Sequence, residues 1–154
     1  MNSTGETKME ISMSGNAKDT VATIVPTLRY KDAIAAIDWL CSAFGFERQL
    51  IVPGPNDTIA HAQLNFGNGM IMLGSATNES EFGNWVKTPK DLGGAGTAGV
   101  YVIVDDADVH YARAVAPGAA VVMAIKDQDY GGRGYSCLDI EGQIWSFGTY
   151  DPWT

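Results

Sequence analysis

Basic residues are few in this chain. Ten Lys and Arg stand against eighteen Asp and Glu in 154 residues, a formal charge of −8. A phosphate backbone needs a concentrated basic face, so nucleic acid is not an expected partner. Cysteine is scarcer still. Cys41 and Cys137 make neither a disulfide framework nor a metal cluster, which fits a cytoplasmic protein with reduced thiols. Long apolar runs are missing too. The longest, Val100-Tyr101-Val102-Ile103-Val104, is a strand's length, far short of the roughly 20 residues that span a bilayer, so no membrane partner is expected. The polar, Ser-rich start has no apolar signal segment, and in the cytoplasm the Asn-x-Ser/Thr sequons at Asn2, Asn56 and Asn78 would meet no glycosylating enzyme. No serine elbow, Walker loop or paired-cysteine zinc site occurs. The string Gly94-x-Gly96-x-x-Gly99 is followed by a strand, not by the helix whose N-terminus a dinucleotide's pyrophosphate requires. What remains, 45% hydrophobic and 18% charged residues, is the composition of a globular domain.

Residues 1–20 carry no sustained apolar period and read as a flexible tail before a single domain over 21–154. From Val21 the chain makes nearly the same statement twice. A strand over Val21 to Leu28 precedes a helix opened by Asp32, with Ile34, Ile37, Cys41 and Phe44 on one stripe and Gly45 at its end. Strands follow over Phe46 to Val52, Thr58 to Phe66 and Met70 to Ser75, the last two joined through Gly67-Asn68-Gly69. After a linker over 76–97, the second copy runs 98–150: a strand from Ala98 to Val104, then a helix capped by Asp106 and bearing Val109, Ala112 and Val115. Strands over Ala119 to Ile125, Arg133 to Ile140 and Ile144 to Tyr150 complete it. Gly45 and Gly118 are 73 residues apart, as are Gly69 and Gly142; Asp32 and Asp106 are 74 apart. This internal period predicts an α+β fold of two βαβββ modules, 21–75 and 98–150, forming a cupped eight-stranded mixed sheet. The trough between the two sheets is the natural place for a small ligand.

Leu28-Arg29-Tyr30-Lys31-Asp32, His61-Ala62-Gln63-Leu64, Gly67 to Gly74 and the closing Asp139-Ile140-Glu141-Gly142-Gln143-Ile144-Trp145-Ser146-Phe147-Gly148 resemble the vicinal oxygen chelate superfamily (glyoxalase, bleomycin resistance protein and dioxygenase), in its PhnB-like glyoxalase branch. The resemblance spans Val21 to Trp153. It implies four metal-ligand positions on strands one, four, five and eight, which fall near Val25, Leu73, Gly99 and Ser146. None offers the imidazole, carboxylate or thiolate a divalent metal wants, so no metal and no other cofactor is expected. The resemblance also implies a homodimer.

Strand parity supplies the remaining candidates. His61 and Gln63 alternate with apolar Ala62 and Leu64 and should face the trough, as pocket groups or as polar residues on a solvated face. Arg133 and Tyr135 alternate with Gly134 and Ser136; they should point at the ligand or support the Gly131-Gly132 loop. Tyr101, on the strand-five face of the vacated Gly99 position, lines the pocket or simply packs. Ser146 stands alone at its ligand position. Trp85 sits with Phe82 in the linker, as a lid or an anchor. Trp145, Phe147, Leu64 and Leu138 should be buried beneath the helices, His110 should lie on the surface, and Cys137 has no base to activate it. The leading expectation is a metal-independent small-molecule-binding protein that sequesters a toxic or antibiotic-like compound. The alternatives are a glyoxalase-like lyase or isomerase with non-standard active-site residues, and a purely structural domain.

Overall fold

The computed structural model describes residues 14–17, 19–77 and 80–154. Most of the expected tail over 1–20 lies outside them. The expected repeat is present. Strand β1 (Thr27–Tyr30), helix α1 (Ala33–Phe44) and strands β2 (Glu47–Pro53), β3 (Ile59–Phe66) and β4 (Gly69–Ser75) form the first module. The second has β5 (Val100–Ile103), α2 (Ala107–Val115), β6 (Ala120–Asp127), β7 (Arg133–Leu138) and β8 (Ile144–Gly148). The sheets have matching orders, β1-β4-β3-β2 and β5-β8-β7-β6, with β1–β4 and β5–β8 parallel and the other pairs antiparallel. In each module the first strand is thus an edge strand.

Local chemistry sets the helix ends as the sequence implies. The Asp32 carboxylate accepts from Ala35 N at 3.1 Å and Asp106 accepts from Val109 N at 3.1 Å, satisfying otherwise orphaned N–H groups. Gly45 closes α1 at φ 89°, a left-handed conformation that side chains resist. Three expectations change. Strand β1 starts at Thr27, not Val21, and Val21 and Ile24 stand 80% and 83% exposed. Pro26 has no N–H to give a ladder; only its carbonyl is used, accepting from Met72 N at 2.9 Å. On α1 the buried set includes Ala33, Ala36, Ile37, Leu40, Ala43 and Phe44, while Ile34 is exposed. On α2 it is Ala107, His110 and Ala114, with Val109 exposed, so His110 lies in the core and not on the surface. Small alanines let both helices approach closely packed neighbours, which a search for large apolar side chains overlooks.

Those neighbours are each other and both sheets. Phe44 of α1 meets Trp145 and Phe147 of β8 at 5.3 and 4.6 Å, and Phe66 of β3 meets His110 of α2 at 6.1 Å. The two modules therefore share one core, with the helices between the inner faces of the two sheets. Burying Phe44, Trp145 and Phe147 stabilises by about 1.5–3 kcal/mol each. Polar bonds cross the same junction: Tyr30 OH donates to Asp139 Oδ2 at 2.6 Å, Trp39 Nε1 to Pro117 O at 3.0 Å, and Lys31 N and Asp32 N to the Glu141 carboxylate at 2.6 and 2.9 Å. Asp139 also accepts from Trp145 Nε1 and from the N–H groups of Glu141 and Gln143. Its burial raises its pKa, and these four donors pull it back.

The back-to-back arrangement corrects the expected trough. The inner faces share one core with the helices, so the outer faces of the two sheets, where pocket residues were expected, lie on the far side of each sheet from it.

Candidate functional site

Strand alternation decides which side chains reach the outer faces. On β8, Trp145 and Phe147 turn inward and Ser146 outward. Its registered partners are Tyr101 on β5 and Ser136 on β7, and the Ser136 and Ser146 hydroxyls bond at 2.7 Å. Across β6, Met123 pairs with Ser136 and Lys126 with Gly134, on the same face. Tyr130, from the turn before β7, and Tyr150, just past β8, close one end with their rings edge to face at 5.1 Å. Tyr101 OH donates to Tyr150 O at 2.7 Å, and partial burial raises its phenol pKa. Together they bound an open cavity of about 380 Å³.

The outer face of module one carries a polar row. His61 Nε2 is 2.8 Å from Gln63 Oε1, and Gln63 Nε2 donates to Gln49 Oε1 at 2.5 Å, a short relay across β3 and β2. Leu50 and Val52, opposite Gln63 and His61 in the register, are 43% and 40% exposed. Glu47, opposite Asn65, is the carboxylate at the end of this face.

Sequence reasoning on β7 is corrected. Tyr135 and Cys137 point inward and are buried, at 3% and 0% exposure, while Ser136 takes the outer face and Leu138 is half-buried there instead of lying beneath the helices. Tyr135 OH bonds His110 Nδ1 at 2.7 Å and its pKa is raised by burial, so it is not a free pocket hydroxyl. Arg133 borders the cavity, but Asp108 and Asp127 hold its Nε and Nη1 at 3.0 and 3.3 Å, so its charge is already paired within the chain. Trp85, 82% exposed, borders a separate groove of about 450 Å³ with Pro26, Leu92 and Ile144, apart from Tyr101 and Ser146. His61 and Gln63 belong to the other outer face. Of the seven candidates, Tyr101, Arg133, Tyr135 and Ser146 line one cavity, and of these Tyr101 and Ser146 turn outward-facing side chains to it. Met123, Lys126, Tyr130 and Tyr150 were missed, although Tyr130 beside Gly131-Gly132 and Tyr150 at a strand end were visible signals.

The register also moves one implied metal position. Leu73 faces the core at 3% exposure, and the outward residue matching Ser146 is Met72, paired with Thr27 as Ser146 is with Tyr101. Thr27, Met72, Tyr101 and Ser146 supply hydroxyls and a thioether, a poor donor set for a divalent catalytic metal. Val25 and Gly99 add no ligating side chain. Among the described residues no group of three His, Cys, Asp or Glu side chains gathers. These residues do not fit the metal that the fold's catalytic members would need. Nor is any helix among the described residues long and apolar enough to cross a membrane.

Comparison with known proteins agrees with the fold. The model of the Glyoxalase/Bleomycin resistance protein/Dioxygenase superfamily matches residues 20–147. An uncharacterized protein of Mycobacterium bovis is 35% identical over 123 residues, 80% of each chain. The crystal structure of TioX from Micromonospora sp. ML1 is 35% identical, with a TM-score of 0.64 over 82% of this chain and 94% of that one. A glyoxalase-related enzyme from Fulvimarina pelagi, 18% identical with a TM-score of 0.59 over 82% and 86% of the two chains, shares the fold.

Proposed function

Given that the chain belongs to the glyoxalase/bleomycin resistance protein/dioxygenase superfamily, we propose that it is a metal-independent binding protein that sequesters a small, partly apolar, toxic or antibiotic-like compound. One observation carries this reading: the two registered pairs that floor the outer faces, Thr27–Met72 and Tyr101–Ser146, hold no side chain a divalent metal would choose. The cavity above Ser146 has the volume of a drug-sized ligand site, lined by Met123 and aromatic rings together with hydroxyl, amide and cationic groups. A lyase or isomerase with unusual site residues draws less support, since Tyr135 and His110 are spent on each other in the core and His61 on Gln63.

The cavity is open on the side away from the core, and the chain's own first module cannot cover it. We therefore read the ligand site as completed by a second copy. The outer face of module one of one protomer, with Leu50, Val52 and Met72, would lie over the module-two cavity of its partner. Met123 on the wall of that cavity, 57% exposed, and Ile103 next to Tyr101's strand neighbour Val102, 37% exposed, are apolar surface such a pairing would bury.

Protein purified without chelator should carry substoichiometric zinc, nickel, iron and manganese. It should sediment as a dimer, which Leu50→Lys should dissociate. A thermal-shift screen should return compounds that stabilise the dimer, a ligand at 100 times its Kd adding about 2.7 kcal/mol. Stoichiometric metal, or turnover of the methylglyoxal–glutathione hemithioacetal that chelator abolishes, would sink the binding reading and promote the enzyme. A monomer would sink the shared site.

A further inference from the structure

The module-two cavity carries chemical information about its occupant. Building on the binding role proposed above, we infer that the ligand is a planar aromatic anion, its ring among Met123 and the tyrosines and its acidic group at Lys126.

Charge is the first argument. The chain as a whole carries −8, yet the cavity wall contains no Asp or Glu. It contains two cations. Arg133 is neutralised by Asp108 and Asp127, whereas no carboxylate of the described residues lies within ion-pair distance of Lys126. Asp151 is near enough to Tyr101 to help raise its phenol pKa, but it is not part of the wall. In so acidic a molecule, a wall free of carboxylates with one uncommitted ammonium selects for an anion.

Shape is the second. Tyr101, Tyr130 and Tyr150 present three rings at one end of the cavity. They hold one another: Tyr130 meets Tyr150 edge to face at 5.1 Å, and Tyr101 hangs its hydroxyl on Tyr150 O at 2.7 Å. Rings fixed in this way lose little freedom when another ring docks edge-on or offset against them. Met123 faces the same space from β6, and a thioether makes favourable contacts with an aromatic edge. An aliphatic ligand would use the area but not the ring geometry.

The floor is the third. Ser136 and Ser146 share one hydrogen bond between two hydroxyls. That bond uses one hydroxyl hydrogen, and the other is available to an acceptor oxygen of the ligand.

Two probes of one ring system and different charge test this: 2-naphthoate and neutral 2-naphthamide, titrated calorimetrically into the full chain at low salt. Naphthoate should bind about three- to ten-fold more tightly, with the advantage shrinking at high salt, as expected for an ion pair open to solvent. Lys126→Gln should erase the difference and Lys126→Arg should keep it. Because Lys126 is exposed on β6, neither change threatens folding. Equal or tighter binding of naphthamide, or a preference that survives Lys126→Gln, overturns the anion assignment. So does a cationic or purely aliphatic compound found in this cavity, although that result would leave the broader binding role standing. Failure of both probes and of a broad compound screen to bind at all would overturn both.

Discussion

His110 offers the sharpest test of how the modules are joined. Its ring is stacked on Phe147 at 4.0 Å and buried to 8% exposure. Nε2 is 2.9 Å from Phe44 O, which can only accept, so Nε2 carries the hydrogen and Nδ1 accepts from Tyr135 OH at 2.7 Å. One neutral tautomer satisfies both neighbours. His110→Phe keeps the ring and its stacking but leaves Phe44 O and the Tyr135 hydroxyl buried without partners. Each orphan costs about 1–3 kcal/mol, so urea denaturation should show a loss of about 2–6 kcal/mol. At roughly 2–4 °C per kcal/mol for a chain of this size, Tm should fall by roughly 4–24 °C. Adding Tyr135→Phe removes one orphan, so the double variant should be more stable than the sum of the single losses by about 1–2 kcal/mol. Burial, assisted by the Arg113 charge and opposed by the bond to Phe44 O, lowers the His110 pKa from its ordinary 6.5. The unfolded chain then binds a proton that the folded one refuses. This contribution to stability is complete above 6.5 and is lost as pH falls toward the lower folded value. Wild-type stability should decline in that window, and His110→Phe should flatten the decline. A loss below about 0.5 kcal/mol, or an unchanged acid slope in the variant, would refute the reasoning.

Two glycines of the second sheet should separate stability from recognition. A Cβ at Gly134 would lie 2.7 Å from the backbone oxygen of Phe147, so Gly134→Ala should cost about 3 kcal/mol or prevent folding; a fully stable variant would contradict the β7–β8 register. At Gly148 the atom met at 2.7 Å is the Tyr101 hydroxyl, so Gly148→Ala should break its bond to Tyr150 O, cost about 1 kcal/mol and weaken ligand binding by calorimetry. The Cys137 thiol is fully buried and its pKa is pushed up to about 12 by desolvation. It should therefore resist an aromatic disulfide reagent at pH 8 until denaturant is added, and modification at a free-thiol rate would show that the core opens.

The repeat was legible because turns and caps are local chemistry. Asp32 and Asp106 satisfy N–H groups three residues on, and glycines such as Gly45 and Gly118 adopt positive φ that other residues avoid. Any chain with those residues at those offsets announces the same boundaries. Facing was less legible, because it depends on what lies across the gap. The inner stripe of α2 is Ala107, His110 and Ala114, polar or small by composition, and it packs inward because α1 and Phe147 are close. On β7 the alternation of Arg133, Tyr135 and Cys137 with Gly134, Ser136 and Leu138 gives no apolar side to choose, and Tyr135 is inward because His110 receives its hydroxyl. The pocket was half seen for a further reason: Tyr101 lies 35 residues before Ser136 in the chain, and the register shifts in β6 hide which of its residues share that face. Nothing local to any one of them reports that they converge.

The shared core also separates two tasks along every strand. On β8, Trp145 and Phe147 hold the molecule together while Ser146, between them, touches nothing in that core. Substitution at outward positions that already carry a side chain, such as Met123 and Lys126, is therefore light in folding consequences, because the core residues lie on the opposite side of the sheet. A lineage carrying this scaffold can exchange Tyr101, Met123, Lys126 or Ser146 and so try new chemical partners without first acquiring spare stability. Drift at the inward neighbours is arrested, because one aromatic nest serves both halves and a loss in either is felt by the whole chain.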